Sequence, residues 1–333
     1  MIISKTPFRM SFFGGGTDLQ SFYSKYGGSV ISTTFDKYCY VIVRHLPPFF
    51  SFSTELSYLK TERVTNVDDI EHPAIRNAMK MLNMHNIRLT YEADLPARSG
   101  LGTSSSFAVG MLNSFYALKG KYVSKKKLAD DAIYLERVLC NEAGGLQDQI
   151  AASYGGFNKI VFNTNGSYDV IPIIIHPERK KVLNNNLLMF FTGFTRFSSA
   201  IQQANASDYS KTTPYIKKMH SLVDDAEKIL VDEQTNLDDF GYLLNDTWEL
   251  KKQTGSSVTT SLIDSLYDKG IKAGALGGKL LGAGGGGFLV FYVKPEYHES
   301  LRKAFSDLLY IPFSFEDGGT RIIHYTPEEY VQK

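Results

Sequence analysis

The sequence predicts an α+β protein built as two units, and three observations carry that expectation. The first half mixes runs that alternate like half-buried strands with runs of helical period. A charged, asparagine-rich stretch from Pro177 to Asn186 then interrupts the pattern and reads as a connection. Beyond it, helical stretches are separated by single strands, as when helices layer on one face of a sheet. A chain of 333 residues is long enough for two units of ordinary size, and the expected division is 1–180 and 181–333.

The elements follow in order. Tyr38 to Arg44, Ile87 to Ala93 and Asn158 to Phe162 alternate apolar and polar residues between turn residues or charges, which predicts strands. Helical spacing is clear over Pro73 to Met84 and Phe107 to Leu118. It is clear again over Ser124 to Leu139, where Ser124 can cap and Leu128, Ala132, Leu135 and Leu139 line one face. Asn141 to Gly145 ends that helix, and Asn163 to Tyr168 is a polar, hairpin-like turn. In the second unit Leu187 to Phe191 and Gly287 to Val293 read as strands. Pro214 to Val231, Leu237 to Lys252, Thr259 to Asp268 and Tyr297 to Leu309 read as helices.

Composition narrows the function classes. Lysine plus arginine number 36 against 35 acidic residues, so overall charge gives no reason to expect nucleic acid or an anionic membrane as partner. No apolar leader with a small-residue cleavage site and no run of 18 apolar residues occurs, and the expectation is a cytoplasmic protein. Cys39 and Cys140 are too few for a disulfide framework and too far apart for a Cys-x-x-Cys site. The seven histidines show no metal-ligand spacing, and neither Gly-x-Ser-x-Gly nor His-Glu-x-x-His occurs, which disfavours hydrolase and zinc chemistry.

Residues 96–106, Pro-Ala-Arg-Ser-Gly-Leu-Gly-Thr-Ser-Ser-Ser, place a glycine turn and four hydroxyls before a buried helical run. Gly100 and Gly102 allow close backbone approach, and the helix start aims N–H groups and a positive dipole end at the same place. Ser99, Leu101, Thr103, Ser104 and Ser105 complete this candidate nucleotide-phosphate cradle. It is neither a Walker A loop nor a Rossmann fingerprint, and a capped helix start after a turn is the ordinary alternative. Asp148 follows a double-glycine turn in Glu142-Ala143-Gly144-Gly145-Leu146-Gln147-Asp148-Gln149; it is either a helix cap or a general base.

Two further segments bear on that choice: Thr6-Pro7-Phe8-Arg9-Met10-Ser11-Phe12-Phe13-Gly14-Gly15-Gly16-Thr17-Asp18-Leu19 and Lys279-Leu280-Leu281-Gly282-Ala283-Gly284-Gly285-Gly286-Gly287-Phe288. With the Gly-Leu-Gly-Thr-Ser-Ser loop between them, they resemble the three motifs of the GHMP kinase superfamily in order and spacing across nearly the whole chain. The first motif is similar to that of the D-glycero-D-manno-heptose 7-phosphate kinases. The resemblance implies a ribosomal-protein-S5-like first domain, a ferredoxin-like second domain and an active site in the cleft between them.

It also implies roles. Asp148 matches the catalytic aspartate, and Arg9 stands where the superfamily places a cation beside the base, favouring a charged carboxylate and stabilising the transferring phosphoryl group. Glu136 and Ser104 match a Mg²⁺ site, although Glu136 lies twelve positions before Asp148, about one residue further than in mevalonate kinases. Asp18 with Gly15, Gly16 and Thr17 would meet the sugar, and Gly284 and Gly285 would wall the site. Arg196, after a buried strand in Phe191-Thr192-Gly193-Phe194-Thr195-Arg196, is the candidate for a distal phosphate. The implied reaction is ATP- and Mg²⁺-dependent phosphorylation of the anomeric hydroxyl of the heptose 7-phosphate, giving the 1,7-bisphosphate for nucleotide-activated heptose synthesis. A fucose- or galactose-type kinase and an inactive ATP- and sugar-binding sensor are the alternatives. A monomer or homodimer is expected, with no nucleic-acid or membrane partner.

Overall fold

Two sheets share one apolar interior. The computed structural model describes residues 1–97, 99–193 and 209–328. The first stretch runs β1 (Ile2–Phe13), α1 (Gln20–Tyr26), β2 (Gly28–His45), β3 (Thr54–Ser57), β4 (Thr61–Val64), α2 (Pro73–Met81) and β5 (Ile87–Ala93). Next come α3 (Thr103–Leu118), α4 (Lys125–Ile133), α5 (Gln147–Tyr154), β6 (Asn158–Phe162), β7 (Tyr168–Pro172), α6 (Pro177–Asn185) and β8 (Leu187–Phe191). The last stretch holds α7 (Tyr209–Val231), α8 (Asp238–Lys252), α9 (Ser261–Lys272), β9 (Ala275–Leu280), β10 (Phe288–Val293), α10 (His298–Ala304), β11 (Leu309–Ile311), β12 (Phe315–Glu316) and β13 (Arg321–Tyr325).

The first sheet is organised around β2, which pairs antiparallel with β1 along one edge. On its other side Gly28–Ser32 meet β6, Thr34 and Phe35 meet β12, and Cys39–His45 meet β5. β1 is in turn covered by β13. The second sheet has the order β11-β8-β10-β9. Hydrogen bonding therefore crosses the division drawn at residue 180: the chain leaves the first sheet after β7 and returns to it with β12 and β13.

Strand alternation sorts the cores. Phe8, Met10 and Phe12 of β1 join Leu187, Met189, Phe288, Val290 and Tyr292 of the second sheet, with Val223 and Phe240, in a core between the sheets. The alternate residues of β8 and β10 (Leu188, Phe190, Leu289, Phe291) pack instead on Trp248, Tyr267, Leu301 and Phe305. The period of two places successive side chains on opposite faces, so Arg9, between Phe8 and Met10, leaves the strand away from the shared core.

Three local expectations change. The helix expected over Ser124 to Leu139 is α4, capped by the Ser124 hydroxyl accepting from Lys127 N, followed by a π-turn over Tyr134–Leu139. Pro177 to Asn186 is mostly helix, not a bare connection; Pro177 supplies a ready first turn and Leu183 its buried anchor. Leu309, expected to end a helix, begins β11, and α10 stops at Ala304.

Candidate active site

The cradle is made by glycine conformation. Gly100 (φ +86°) and Gly102 (φ +69°) adopt the left-handed region, and Gly102 directly precedes α3. A Cβ on Gly100 would stand 2.3 Å from Leu281 O, one on Gly282 2.3 Å from Gly100 Cα, and one on Gly287 2.2 Å from Ser99 O. The loop over 99–102 thus lies backbone to backbone against the loop that follows β9, a separation no side chain permits. The first turn of α3, the positive end of the helix dipole, opens from this contact. Ser99 is buried with its hydroxyl unpartnered among the described residues.

Arg9 ties Asp148 to the glycine loop. Its Nε donates to Asp148 Oδ1 at 2.8 Å and its Nη2 to Asp148 Oδ2 at 2.9 Å, while Nη1 donates to Gly100 O at 2.7 Å. Its own backbone N–H donates to Leu101 O at 3.2 Å. Asp148 lies in the first turn of α5, but its carboxylate is turned to the guanidinium. A bidentate pair uses two of about four acceptor positions on a carboxylate; Asp148, 24% exposed, keeps the others for a ligand.

Glu136 sits in the π-turn, 1% exposed. Ser104 Oγ donates to its Oε1 at 3.0 Å, Ser105 Oγ to its Oε2 at 2.7 Å, and Gln149 Nε2 also donates to Oε2. Among the described residues no lysine, arginine or histidine stands within ion-pair distance of Glu136. A buried carboxylate held by neutral donors is costly, and carboxylate and hydroxyl oxygens such as those of Glu136 and Ser104 suit a hard divalent cation. No group of three or more His, Cys, Asp and Glu placed to hold a metal ion occurs among the described residues; Mg²⁺ commonly needs only one or two carboxylates, the rest coming from phosphates and water.

The amino-terminal glycine turn places Asp18 beside these groups. Asp18 accepts from Gly16 N at 3.2 Å and Gln147 N at 3.4 Å. Burial first, then the Asp148 charge, pushes its carboxyl above the ordinary range. Thr17 is buried and its hydroxyl donates inside the turn, 2.8 Å from Gly14 O and 2.9 Å from Ser29 O. Gly15 has open space where a Cβ would stand, and Gly16 has φ +92° near Ile216. Gly284 packs on Val258, whose carbonyl accepts from Gly285 N at 3.0 Å. Arg196 lies outside the described residues.

Several residues at the site escaped the sequence reading. Gln149, a polar residue in a helix, gave no sign of a buried carboxylate partner. Arg137 donates to the carbonyls of Glu142, Ala143 and Gly145 and shapes the turn before Asp148; its place next to Glu136 was the available signal. Lys279 is buried and donates to Phe12 O at 2.6 Å, and Lys251 donates to Gly282 O. Both resemble ordinary surface lysines in a sequence.

A glycine loop at a helix start, a carboxylate tied to it by a guanidinium, and a buried carboxylate beside two serine hydroxyls are the kinds of parts a small-molecule kinase uses. Comparison with known proteins identifies which kind. The model for the GHMP kinases N terminal domain matches residues 70–156, and that for GHMP kinases C terminal matches residues 222–310. The D-glycero-alpha-D-manno-heptose 7-phosphate kinase of Campylobacter jejuni is 30% identical over 318 residues, covering 91% of this chain and 92% of that protein. Two solved structures share the fold. A D-glycero-D-manno-heptose 1-phosphate kinase from Bacteroides thetaiotaomicron has TM-score 0.79 and 24% identity over 97% of this chain and 99% of its own. A mevalonate kinase from Methanococcus jannaschii has TM-score 0.72 and 22% identity over 94% and 98%. The chain belongs to the GHMP kinase superfamily and has that superfamily's fold.

Proposed function

We propose that this kinase transfers the terminal phosphoryl group of ATP to the anomeric hydroxyl of D-glycero-D-manno-heptose 7-phosphate. The observation that carries the reading is the single guanidinium of Arg9, which binds Asp148 with two nitrogens and Gly100 O with the third. It sets the distance between the phosphate-binding loop and the carboxylate that would take the hydroxyl proton, and phosphoryl transfer depends chiefly on such positioning. The choice of sugar rests on the likeness to the Campylobacter jejuni enzyme over most of both chains.

In this reading the hydroxyl proton passes to a free lone pair of Asp148, and Asp18 orients the sugar by accepting from its hydroxyls. Ser104 and Glu136 would hold Mg²⁺. When bound, that ion neutralises charge on the phosphate oxygens. Arg196 remains the candidate for the distal phosphate.

ADP release is to be measured with heptose 7-phosphate, unphosphorylated heptose, fucose, galactose and mevalonate. The reading expects heptose 7-phosphate to give the highest kcat/KM, with phosphorus NMR placing the new group at the anomeric carbon. Faster turnover of a neutral sugar or of mevalonate would reassign the substrate.

A further inference from the structure

Lys251, in the last turn of α8, is half-buried. Its ammonium donates to Gly282 O and stands 3.4 Å from Leu280 O. Among the described residues no carboxylate lies within ion-pair distance of it. Two other cations share its surroundings: Arg9 from β1 and Lys279 from β9. Burial, and then the Arg9 charge, pushes Lys251 down to about 8. Burial, followed by the charges of Lys251 and Arg9, pushes Lys279 well below the ordinary lysine value.

Three elements thus bring three basic side chains to one end of the loop contact between Gly100 and Gly282. The carboxylates there are Asp148, already held by Arg9, and Asp18, whose own ionisation burial and Asp148 oppose. Positive charge is left over in a partly desolvated place, with neutral carbonyls as the partners of Lys251 among the described residues. Such a surplus is costly alone and is relieved by an anion. The nearest surface built for an anion is the glycine cradle at the start of α3, which packs on the residue that Lys251 touches.

We propose that Lys251 is a catalytic contact to the terminal phosphate of the bound triphosphate, delivered by the helical layer of the second sheet. The identity of that anion rests on the kinase reading above. The ammonium rests on the carbonyls of Leu280 and Gly282 and exchanges them for phosphate oxygens, whose charge makes the stronger hydrogen bond. Arg9 and Lys251 then approach the transferring group from different sheets, so the cation set is complete only when both loops are in contact.

The test is calorimetric titration of wild type, Lys251→Met and Lys251→Arg with ADP and with the non-hydrolysable imido analogue of ATP, in Mg²⁺ buffer and without sugar. Lys251→Met should weaken the triphosphate analogue about 10- to 100-fold while ADP changes less than about threefold. Retained ADP binding also reports a folded site. Lys251→Arg, keeping the charge, should recover most of the loss. Equal weakening of both nucleotides would make Lys251 a brace for the glycine loop, and unchanged binding of both would remove it from the site; either result overturns the proposal. Because no sugar is present, an error in the sugar assignment leaves this titration untouched.

Discussion

Asp148 gives two acceptor positions to Arg9 and, in the proposed reaction, another to the incoming hydroxyl, so replacing it with asparagine keeps the shape and removes the proposed proton acceptor. Asp148→Asn should bind ATP normally and lose about 10²- to 10⁴-fold in kcat; a purified variant retaining more than about a tenth of wild-type kcat, with chemistry rate-limiting, would exclude the role. Glu136→Ala removes the carboxylate of the cation pair and should raise the Mg²⁺ concentration giving half-maximal rate, leaving sugar affinity nearly unchanged. An identical Mg²⁺ titration curve would return Glu136 to a purely structural role. Asp18 carries a pH signature. Its folded carboxyl binds a proton more tightly than the ordinary value of 3.8, so the folded state holds more protons than the unfolded one just above pH 3.8. Stability is then lost as pH rises through that window. Asp18→Asn escapes the penalty, and its melting temperature should gain on wild type as pH goes from 4 to 8. Parallel melting curves at every pH would refute this.

At the scale of elements, the decisive contact is between two loops with almost no side chains. Gly282 has φ +81° and its absent Cβ would meet Gly100 Cα at 2.3 Å, so Gly282→Ala forces the loops apart as well as straining its own backbone. Nucleotide affinity should fall by about tenfold or more, with a lower melting temperature; calorimetry and thermal melts would measure both, and wild-type affinity would show that the contact does not shape the cradle. The same chemistry explains what the sequence did and did not disclose. β5 and β6 each cover one face and their alternation marked them to the residue. β1 is buried along most of its length, so alternation fades, and Pro7 sits at a register shift that a simple strand pattern does not anticipate. β9 contains Gly277, whose Cβ would stand 2.0 Å from Gly241 O of α8; a residue that weakens a strand in sequence is there for close packing. The π-turn over Tyr134–Leu139, which carries Glu136, is a local widening that helical periodicity does not announce. Arg9 and Ser104 stand in two of the three motifs, while Asp148 and Glu136 were singled out by resemblance outside them; the structure brings the four together in two pairs, Arg9 with Asp148 and Ser104 with Glu136. Lys251 and Gln149 belong to no such pattern and acquire meaning only from distant partners.

At the scale of the molecule, the two sheets are joined by the core that Phe8, Met10 and Phe12 build with Met189, Phe240, Phe288 and Val290. Neither unit buries its inner face alone. A fragment ending at residue 180 would also lack β12 and β13, which cover β2 and β1. It should fail to show a cooperative thermal transition by circular dichroism, whereas a cooperative melt and dispersed NMR spectrum would establish an independent first domain. The position of β13 has a further consequence for synthesis. β1 leaves the ribosome well before β13, and the outer edge of its Ile2–Lys5 end is covered only when Arg321–Tyr325 arrive. At roughly 5–20 residues per second, that wait is on the order of 15–60 s. Throughout it, the nascent chain offers an open strand edge, the kind of surface that recruits chaperones or pairs with a neighbouring chain. That edge is the Ile2–Lys5 end of β1; the Arg9 end of the same strand is met instead by Leu101 O, which accepts from the Arg9 backbone N–H.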